Sequence, residues 1–513
     1  MVDPMRRRAS VPAVLPLVAV AWLGCGPAED PVGETPAPPV TGFEVPISLP
    51  GCDPSDPSVR MLETDEDWQD INSEQYRVFC VAPGDYSALG NVRLARDGTD
   101  DAPRVLRHYD PTTPSASPHP VDQGDSERAI LAGLLVTDAR HWIIDGITIT
   151  GDWQVVRFEE GSDHNVLNRA LLESAAVSVR HGSHDNTIQN SVLRNAPKTP
   201  GSDRVCMVLS GSNDDADVAI HGTRIVNNEI YDCTDAIQAY RPDGSTHAID
   251  FGGTIIDNND LYVTDGMYTD CGGNLDPDGA CACSENAIDL KAAGSGPTSI
   301  VQVSNNRMWG FKSTDTACGG TGSNGAASTV HVTARYTLYQ GNIIWDVPQG
   351  MYFLNDHHSA VDNVVYDVHR DDGRGTAIYP EQEEGAVGHN FELYRNTIID
   401  TDRWVAIYAD GGDYRCNVVI DGGRNTNAGV DIQADYNFYY GSEQLEPPGD
   451  HDIVAEQAAD AAQDELCFQV RRWTGPEEIC IAHGAPTESS PHVGRCDREL
   501  GARPDVGVGD ERW

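Results

Sequence analysis

The segment Phe391-Glu392-Leu393-Tyr394-Arg395-Asn396-Thr397-Ile398 follows a short pattern, apolar-x-apolar-x-x-Asn-x-apolar, that recurs along most of the chain. A second copy is Thr254-Ile255-Ile256-Asp257-Asn258-Asn259-Asp260-Leu261. The asparagines of this pattern stand at positions 168, 190, 228, 259, 306, 342, 363, 396, 417 and 437. Their spacings run from 20 to 47 residues, so the shortest match one coil of a repeat protein and the longer ones carry insertions.

Short alternating strands with an asparagine at each bend are typical of a solenoid of parallel strands. Asparagine tolerates left-handed backbone angles, and its side-chain amide can bond between stacked coils. The 50 glycines and the absence of a long helical period also favour strands and turns. The sequence therefore predicts an all-β fold, a right-handed parallel β-helix with capped ends, because the ends of a solenoid need covers.

The two ends of the chain differ in composition from this repeat. Residues 1–25 have a basic start and an apolar run that predict a secretion signal, and they end in a lipobox-like Trp22-Leu23-Gly24-Cys25. We therefore expect a lipid on Cys25, with ordinary signal cleavage nearby as the alternative. Residues 26–50, acidic and Pro-rich, predict a tether. The β-helix is expected over 51–440 and a C-terminal cap over 441–513.

The charge and cysteine content indicate a compartment and limit the partners. The chain carries 80 acidic and 35 basic residues, a net charge of -45, which argues against nucleic acid because phosphate binding needs clustered Lys and Arg. Twelve cysteines besides Cys25 suit disulfides in an oxidising compartment. We expect a monomer in the bacterial cell envelope, as an outer-membrane lipoprotein or extracellular, that meets the membrane only through its lipid.

One hexad of the repeat, Asn286-Ala287-Ile288-Asp289-Leu290-Lys291, carries an amine and a carboxylate together. Related hexads begin at Asp235, Thr376 and Val405 and lack this combination. Because alternate residues of a strand face the same way, Ile288 and Leu290 should point inward, while Asp289 and Lys291 should point outward. The charged hexad therefore predicts the active site.

Aligning the hexads, whose coils stack about 4.8 Å apart, predicts the neighbours of this pair. Lys291 should have Tyr240 one coil before it, and Asp289 should have His331 one coil after it, with Arg335 near the same end of the groove. The column of Asp289 is predicted to contain Gln238, Asp289, His331, Tyr352, Tyr379 and Tyr408. Three successive tyrosines would form a strip on which sugar rings could lie. Such a stack can also stabilise the sheet by cross-strand packing, but the strip begins beside the charged coil, which favours sugar binding.

The segment Glu285-Asn286-Ala287-Ile288-Asp289-Leu290-Lys291-Ala292-Ala293-Gly294-Ser295-Gly296 resembles the catalytic strand of the family nine polysaccharide lyases. Val78-Phe79-Cys80-Val81-Ala82-Pro83-Gly84-Asp85-Tyr86 resembles the opening strand and turn of pectate-lyase-like β-helices. The resemblance implies that Lys291 removes a proton from a uronic acid while calcium holds the carboxylate. The calcium-binding aspartates of that family are not matched one for one here.

The implied reaction is β-elimination, in which the carbanion formed at C5 spreads charge onto the carboxylate, so a cation must neutralise it. Calcium prefers oxygen ligands, and Glu285, Asp289 and Asp235 are the candidates to supply them. Lys291 must be largely neutral to act as the base, which a nearby cation would favour. Asp289 opposes this, and the two alone would form a solvent-exposed ion pair.

Tyr240 or His331 could donate the proton to the leaving oxygen, and His331 could equally be a plain surface residue. Arg335 is a further catalytic candidate, and Gln238, Tyr352, Tyr379 and Tyr408 are candidates for substrate binding. Three classes of function follow: a lyase acting on an acidic polysaccharide, a hydrolase or epimerase on the same scaffold, and a non-enzymatic glycan-binding protein. Hydrolysis needs opposed carboxylates, and the sequence predicts no Asp-Asp pair on adjacent outward positions.

Overall fold

The computed structural model describes residues 44–109, 119–151, 154–194, 205–210, 220–240, 250–264, 284–312, 325–370, 372–381, 391–408, 411–426, 432–450, 452–455, 461–470 and 477–486. The predicted secretion signal with Cys25, the tether up to residue 43 and the last part of the predicted cap lie outside the described residues.

The described segments are almost entirely short β-strands. In chain order the strands are β1 (Val59–Leu62), β2 (Val78–Val81), β3 (Gly84–Asp85), β4 (Asn91–Leu94), β5 (Arg104–His108), β6 (Ala129–Leu131), β7 (Gly133–Thr137), β8 (Trp142–Asp145), β9 (Thr148–Thr150), β10 (Val156–Glu159), β11 (Val166–Asn168), β12 (Leu171–Glu173), β13 (Val177–Arg180), β14 (Thr187–Gln189), β15 (Val192–Arg194), β16 (Met207–Ser210), β17 (Arg224–Val226), β18 (Glu229–Tyr231), β19 (Asp235–Tyr240), β20 (Ile255–Asp257), β21 (Asp260–Tyr262), β22 (Asn286–Leu290), β23 (Val301–Ser304), β24 (Arg307–Trp309), β25 (Ala326–Val330), β26 (Thr337–Gln340), β27 (Ile343–Val347), β28 (Gln349–Phe353), β29 (His358–Val361), β30 (Val364–Val368), β31 (Thr376–Pro380), β32 (Phe391–Tyr394), β33 (Thr397–Ile407), β34 (Asp413–Arg415), β35 (Val418–Thr426), β36 (Gln433–Asp435), β37 (Phe438–Tyr440), β38 (Ile453–Ala455), β39 (Ala461–Val470) and β40 (Glu477–Pro486). Short 3-10 turns span Asp67–Asp70, Ser87–Leu89, Pro120–Asp122 and Asp125–Glu127.

The strands stack in three parallel faces, and each full coil contributes one strand to each face. Face 1 runs β1-β2-β5-β8-β11-β14-β17-β20-β23-β26-β29-β32-β34-β36. Face 2 runs from β3 through β6, β9 and every third strand to β30, then β33, β35, β37 and β38. Face 3 runs from β4 through β7, β10 and every third strand to β31, then β33. This arrangement confirms the predicted β-helix.

The core is the column of apolar side chains inside the coils. On face 3, Leu290 pairs in register with Ala239 on one side and with Val330 on the other, and Val330 pairs with Phe353. All four side chains are buried. Stacking identical inward positions removes apolar surface from water at every coil, which is the main force that holds a solenoid together.

A buried ladder of asparagines joins the coils before face 2. Its members are Asn228, Asn259, Asn306, Asn342, Asn363, Asn396, Asn417 and Asn437, and each donates its side-chain amide to the next. Asn306, for example, donates from Nδ2 to Asn342 Oδ1 at 3.0 Å and to the carbonyl of Ile256 at 2.9 Å. The predicted bonding between stacked coils is therefore present.

Two details of the asparagine prediction were wrong. The left-handed backbone belongs to the residue before each ladder position, such as Asn258 and Asn305, and the ladder Asn follows it. Asn168 and Asn190 do not belong to the ladder. In the coil of Asn190 the ladder position is occupied by Ser191, whose backbone N–H donates to the Asn228 side chain. The ladder Asn serves as a buried hydrogen-bond donor and acceptor, and the residue before it adopts the left-handed turn conformation.

The predicted domain boundaries are crossed by contacts at both ends. Val45, inside the predicted tether, exchanges two hydrogen bonds with the side chain of Gln189 on face 1, at 2.9 and 3.1 Å. Stacking continues past residue 440, since β38 pairs with β37, and β39 and β40 form an antiparallel hairpin. Disulfides join Cys52 to Cys80 and Cys206 to Cys233. Within the described segments, no helix has the length and apolar character to cross a bilayer.

Candidate active site

The charged strand β22 lies on face 3 between β19 and β25. Asp289 pairs in register with Gln238, and Leu290 pairs with Ala239. Leu290 is buried in the core, so the alternation of the strand directs Asp289 and Lys291 to the outer side, as predicted. The Lys291 nitrogen lies 5.8 Å from the ring centre of Tyr240 on the preceding coil.

The predicted register with the following coil was wrong by two residues. Asp289 pairs with Thr329, and Leu290 pairs with Val330, so His331 continues the column of Lys291. The apolar pattern favoured Val330 and Val332 as the inward pair. In the structure Ser328 takes an inward position, where its hydroxyl lies 2.6 Å from the buried hydroxyl of Tyr339. A search for alternating apolar residues does not find an inward polar residue whose hydrogen bond is made within the core.

Asp289 nevertheless meets His331. The imidazole Nε2 lies 2.8 Å from Asp289 Oδ1, diagonally across the two strands. The His331 side chain is about one third exposed, whereas that of Asp289 is almost fully buried. The structure thus brings together Lys291, Asp289, His331 and Tyr240, which are four of the residues singled out from the sequence.

A pair of buried carboxylates underlies this cluster. Asp235 and Asp289 are 0% and 1% exposed, and Gln238 Nε2 donates to both, at 3.1 Å to Asp235 Oδ2 and 3.0 Å to Asp289 Oδ2. Asn286 donates its backbone N–H and its side-chain amide to the other oxygen of Asp235. Burial, reinforced by the negative charges of Asp289 and Glu285, raises the pKa of Asp235 well above its usual range.

The sequence predicted no Asp-Asp pair on adjacent outward positions, and Asp235 and Asp289 do not occupy such positions, because Asp289 pairs in register with Gln238. Asp235 opens its hexad at the position that Asn286 occupies in the next one, so a comparison of aligned positions does not match it with Asp289. The two carboxylates meet diagonally through Gln238. Gln238 is nearly buried in this bridge, and its contact with substrate stays a prediction.

The Lys291 nitrogen lies 3.5 Å from Asp289 Oδ2. Burial alone would lower the pKa of Lys291, but the charges of Asp289, Asp235 and Glu285 act in the opposite direction and the net pKa is raised. Next to uncompensated carboxylates, Lys291 is an ammonium at neutral pH. The lowered pKa expected from the sequence requires positive charge at these carboxylates.

Asp235, Asp289 and Glu285 are the residues that would hold calcium. Among the described residues, the groups of metal-ligand atoms that lie within 4.8 Å of one another do not include these three, so an ion here would require their carboxylates to move closer together. The buried Oδ1 of Asp289 lies 2.8 Å from the His331 nitrogen, and Glu285 is close enough for its charge to act on both Asp235 and Lys291. Calcium takes six to eight oxygen ligands from carboxylates, amide oxygens and water. Gln238 now presents its nitrogen to the carboxylates, and rotation of that amide would present its oxygen.

Arg335 pairs with a carboxylate outside this cluster. Its Nε lies 3.0 Å from Asp356 Oδ1, and within the described part of the chain the ion-pair partners of Lys291 and Asp289 do not include it. The catalytic role of Arg335 stays a prediction.

The predicted tyrosine strip is present for two of its three members. Tyr352 and Tyr379 pair in register on face 3, and their rings stack with centres 4.7 Å apart. Tyr408 lies one column over: Ile378 pairs with Val405, so Tyr408 comes into line with Glu381, and its ring meets Tyr379 edge-on at 5.4 Å. Both coils contain the sequence Ala-Ile-Tyr, and aligning these residues misplaced Tyr408.

No family profile matches the sequence, and no curated protein sequence matches it. Among solved structures, the chain resembles the PL6 family alginate lyase AlyGC, with 12% identity over 87% of this chain and a TM-score of 0.54. A PL6 alginate lyase in complex with a trisaccharide gives 11% identity over 87% of this chain and 95% of that one, with a TM-score of 0.49. Pectate lyase Pel9A gives 11% identity over 70% of each chain, with a TM-score of 0.31.

The chain spans 57% of the length of AlyGC. Likeness at such identities is a likeness of fold, and function must be argued from the site. This chain has the pectate-lyase-like fold, a right-handed parallel β-helix that the similar solved structures, themselves polysaccharide lyases, also adopt.

Proposed function

We propose that this protein is a polysaccharide lyase that cleaves an acidic, uronic-acid-containing glycan by β-elimination, with Lys291 at the reacting centre. The observation that carries the proposal is the position of Lys291, an amine that is one third exposed and lies directly beside a buried pair of carboxylates. Tyr240 from the coil before and His331 from the coil after flank it. A proton acceptor and two candidate proton donors are thus present on one outer surface.

Lys291 would take the proton from C5 of the uronate. It can do so only when neutral, and Asp289 and Asp235 favour its charged form, so compensation of these two carboxylates is part of the proposal. Calcium held by Glu285, Asp289 and Asp235 would supply positive charge for the substrate carboxylate as the carbanion forms.

The leaving oxygen needs a proton. His331 is held by Asp289 through Nε2 and is partly exposed, and Tyr240 carries its hydroxyl on the neighbouring coil. Both groups are within one coil of Lys291, so either could deliver the proton. The stacked Tyr352 and Tyr379 lie further along the same face, where they could support the sugar rings beyond the cleaved bond.

The proposed substrate must approach a strongly acidic protein. The net charge of -45 repels an anionic polymer, so the positive charge of Lys291 and of a bound cation would have to be local attractors. We also propose that the protein is secreted, and anchored through Cys25 if the lipobox-like sequence is processed. The two disulfides support an oxidising compartment.

The buried Asp235–Asp289 pair is the observation that favours a hydrolase instead. A carboxyl with a raised pKa next to an ionised carboxylate is the pairing that glycoside hydrolysis uses. The full burial of Asp235 weighs against it, since a general acid must reach the glycosidic oxygen.

The full chain, incubated with a panel of uronate polymers and one neutral polymer in calcium, distinguishes these functions by product. New ultraviolet absorbance from unsaturated uronates would support the lyase. Reducing ends without that chromophore would replace it with a hydrolase. Binding without any new ends, unchanged by a chelator, would replace it with a glycan-binding protein.

A further inference from the structure

A column of histidines marks one corner of the β-helix, at the turn before face 1. His141, His164, His184 and His221 come from four consecutive coils, and their ring centres are 5.2, 6.4 and 4.7 Å apart in that order. With Asp163 and Asp185, they form a group that we call the histidine corner. Nothing in the proposed lyase mechanism uses these residues.

The backbone of the turn fixes this column. Bridges pair Asp163 with Arg140 on one side and with His184 on the other, so the next residue in each coil is also aligned. His141, His164 and Asp185 occupy this second position with left-handed φ angles of 54°, 54° and 51°. The same tight turn is thus repeated coil after coil, and it holds the side chains of successive coils side by side.

The histidine corner contains two sets of metal-ligand atoms. In the first set, one nitrogen of His141, one of His164 and one oxygen of Asp163 lie within 4.8 Å of one another. In the second set, His184, His221 and Asp185 meet the same limit. Each set joins residues of neighbouring coils that are more than 20 residues apart in sequence, so a shared ion would link coils.

Carboxylates already orient two of the rings. His164 Nδ1 lies 3.0 Å from Asp163 Oδ1, and His184 Nδ1 lies 2.9 Å from Asp185 Oδ2. In each set the carboxylate and imidazole donors therefore already lie side by side, and an ion bound between them would take the place of the shared proton. The competing contacts are ion pairs of Asp163 with Arg140, at 3.1 Å, and with His184 of the second set, at 3.8 Å, and of His141 with Asp100, at 3.1 Å.

The chemistry of these donors selects the class of ion. Two imidazoles and one carboxylate suit a borderline divalent transition metal such as zinc or nickel, with water completing the coordination. Calcium prefers an all-oxygen shell of higher number. The side chain of His164 is about half exposed, which leaves a path for an ion from solvent.

We propose that the histidine corner binds divalent transition-metal ions, one in each set, and that these ions cross-link the coils from His141 to His221. The site is independent of the proposed lyase centre on face 3. It would be filled by zinc or nickel in the presence of calcium.

Isothermal titration of the metal-stripped full chain with zinc, with calcium present throughout, tests the proposal. The wild type is expected to bind two zinc ions, both at the histidine corner. His141→Ala should remove the ion of the first set and His221→Ala that of the second, each lowering the stoichiometry by one or weakening one site about tenfold or more. Cobalt, titrated separately, should give a visible spectrum that the double variant loses.

His181→Ala is the matched control, since His181 is a partly exposed histidine on a nearby turn that pairs with Glu160 at 3.2 Å. It should retain both ions, and circular dichroism should show that all variants are folded. Zinc binding that is absent in the wild type, or equal in the wild type and the folded His141→Ala, His221→Ala double variant, would overturn the proposal.

Discussion

The Lys291 ammonium nitrogen lies 3.5 Å from Oδ2 of Asp289, and the lysine side chain is one third exposed while that of the aspartate is almost completely buried. The pair is therefore not an ordinary surface ion pair, which would be worth about 0–1 kcal/mol. Its buried partner is bridged through Gln238 to a second carboxylate, Asp235. The excess of negative charge beneath Lys291 determines whether that residue can be a base.

The metal-stripped Asp235→Asn variant should have a larger free energy of unfolding than the metal-stripped wild type, and this difference should grow as the pH rises. The raised pKa of Asp235 means that the folded protein holds a proton which the unfolded chain releases above about pH 3.9. The wild type therefore loses stability with rising pH, by about 1.4 kcal/mol per unit of pKa difference. Asparagine does not titrate, so its advantage in urea unfolding should grow between pH 4 and 7.

The slope with pH is the informative quantity, because a constant difference would also include the altered hydrogen bond to Gln238. An advantage that stays constant or shrinks over this range would show that Asp235 ionises normally in the folded protein.

Calcium should stabilise the wild type against thermal unfolding. An ion that binds only the folded state at 100 times its dissociation constant adds about 2.7 kcal/mol. Asp289→Asn should lose most of this gain because it removes the negative charge and one of the two oxygens of a buried carboxylate. Asp346→Asn, at an exposed carboxylate that pairs with Lys312, is the control and should keep it. Equal calcium shifts in the two variants would argue against a site at Asp289.

Asn306→Ala should destabilise the protein by roughly 2–5 kcal/mol. The change removes the acceptor for the backbone and side-chain N–H groups of Asn259 and leaves the carbonyl of Ile256 without its donor. Each buried polar group left unpaired costs about 1–3 kcal/mol. Urea unfolding should show a lower midpoint, whereas Asn91→Ala, at an exposed position, should change stability by less than about 0.5 kcal/mol.

Tyr379→Ala should weaken substrate binding more than it slows the reaction. Its ring stacks on Tyr352 and lies apart from Lys291 along the same face, so it would contact sugars away from the cleaved bond. An aromatic contact is worth about 0.5–1.5 kcal/mol, which corresponds to a rise in KM of about 2- to 12-fold. Tyr394→Ala, on face 1, should leave KM unchanged, and a fall in kcat alone for Tyr379→Ala would contradict the binding role.

The fold was predictable because it follows from a short sequence pattern that each coil repeats. Each coil repeats the same alternation and the same ladder asparagine, so Asn306 and Asn396 could be aligned without any knowledge of tertiary contacts. The neighbours of Lys291 were predictable for the same reason on the preceding coil, where Tyr240 lies as expected.

The remainder of the site depends on features that break the repeat. Ser328 faces inward and is satisfied by Tyr339, which displaced the register of His331. Tyr408 comes into line with Glu381 rather than with Tyr379, although both coils contain Ala-Ile-Tyr. The Asp235–Asp289 pair forms diagonally through Gln238, and the pairing of Arg335 with Asp356 depends on a turn. Pattern alignment compares equivalent positions, so diagonal contacts and irregular strands escape it.

The most direct test compares the release of unsaturated uronates by wild type, Lys291→Ala, Lys291→Arg and Lys312→Ala on an acidic glycan that the wild type cleaves. Arginine keeps the charge but stays protonated, so both changes at Lys291 should lower kcat by about 100- to 10,000-fold. Lys312→Ala, at a lysine of similar exposure, should match the wild type. Undiminished release of unsaturated uronates by the folded Lys291→Ala protein would contradict the assignment of Lys291 as the base.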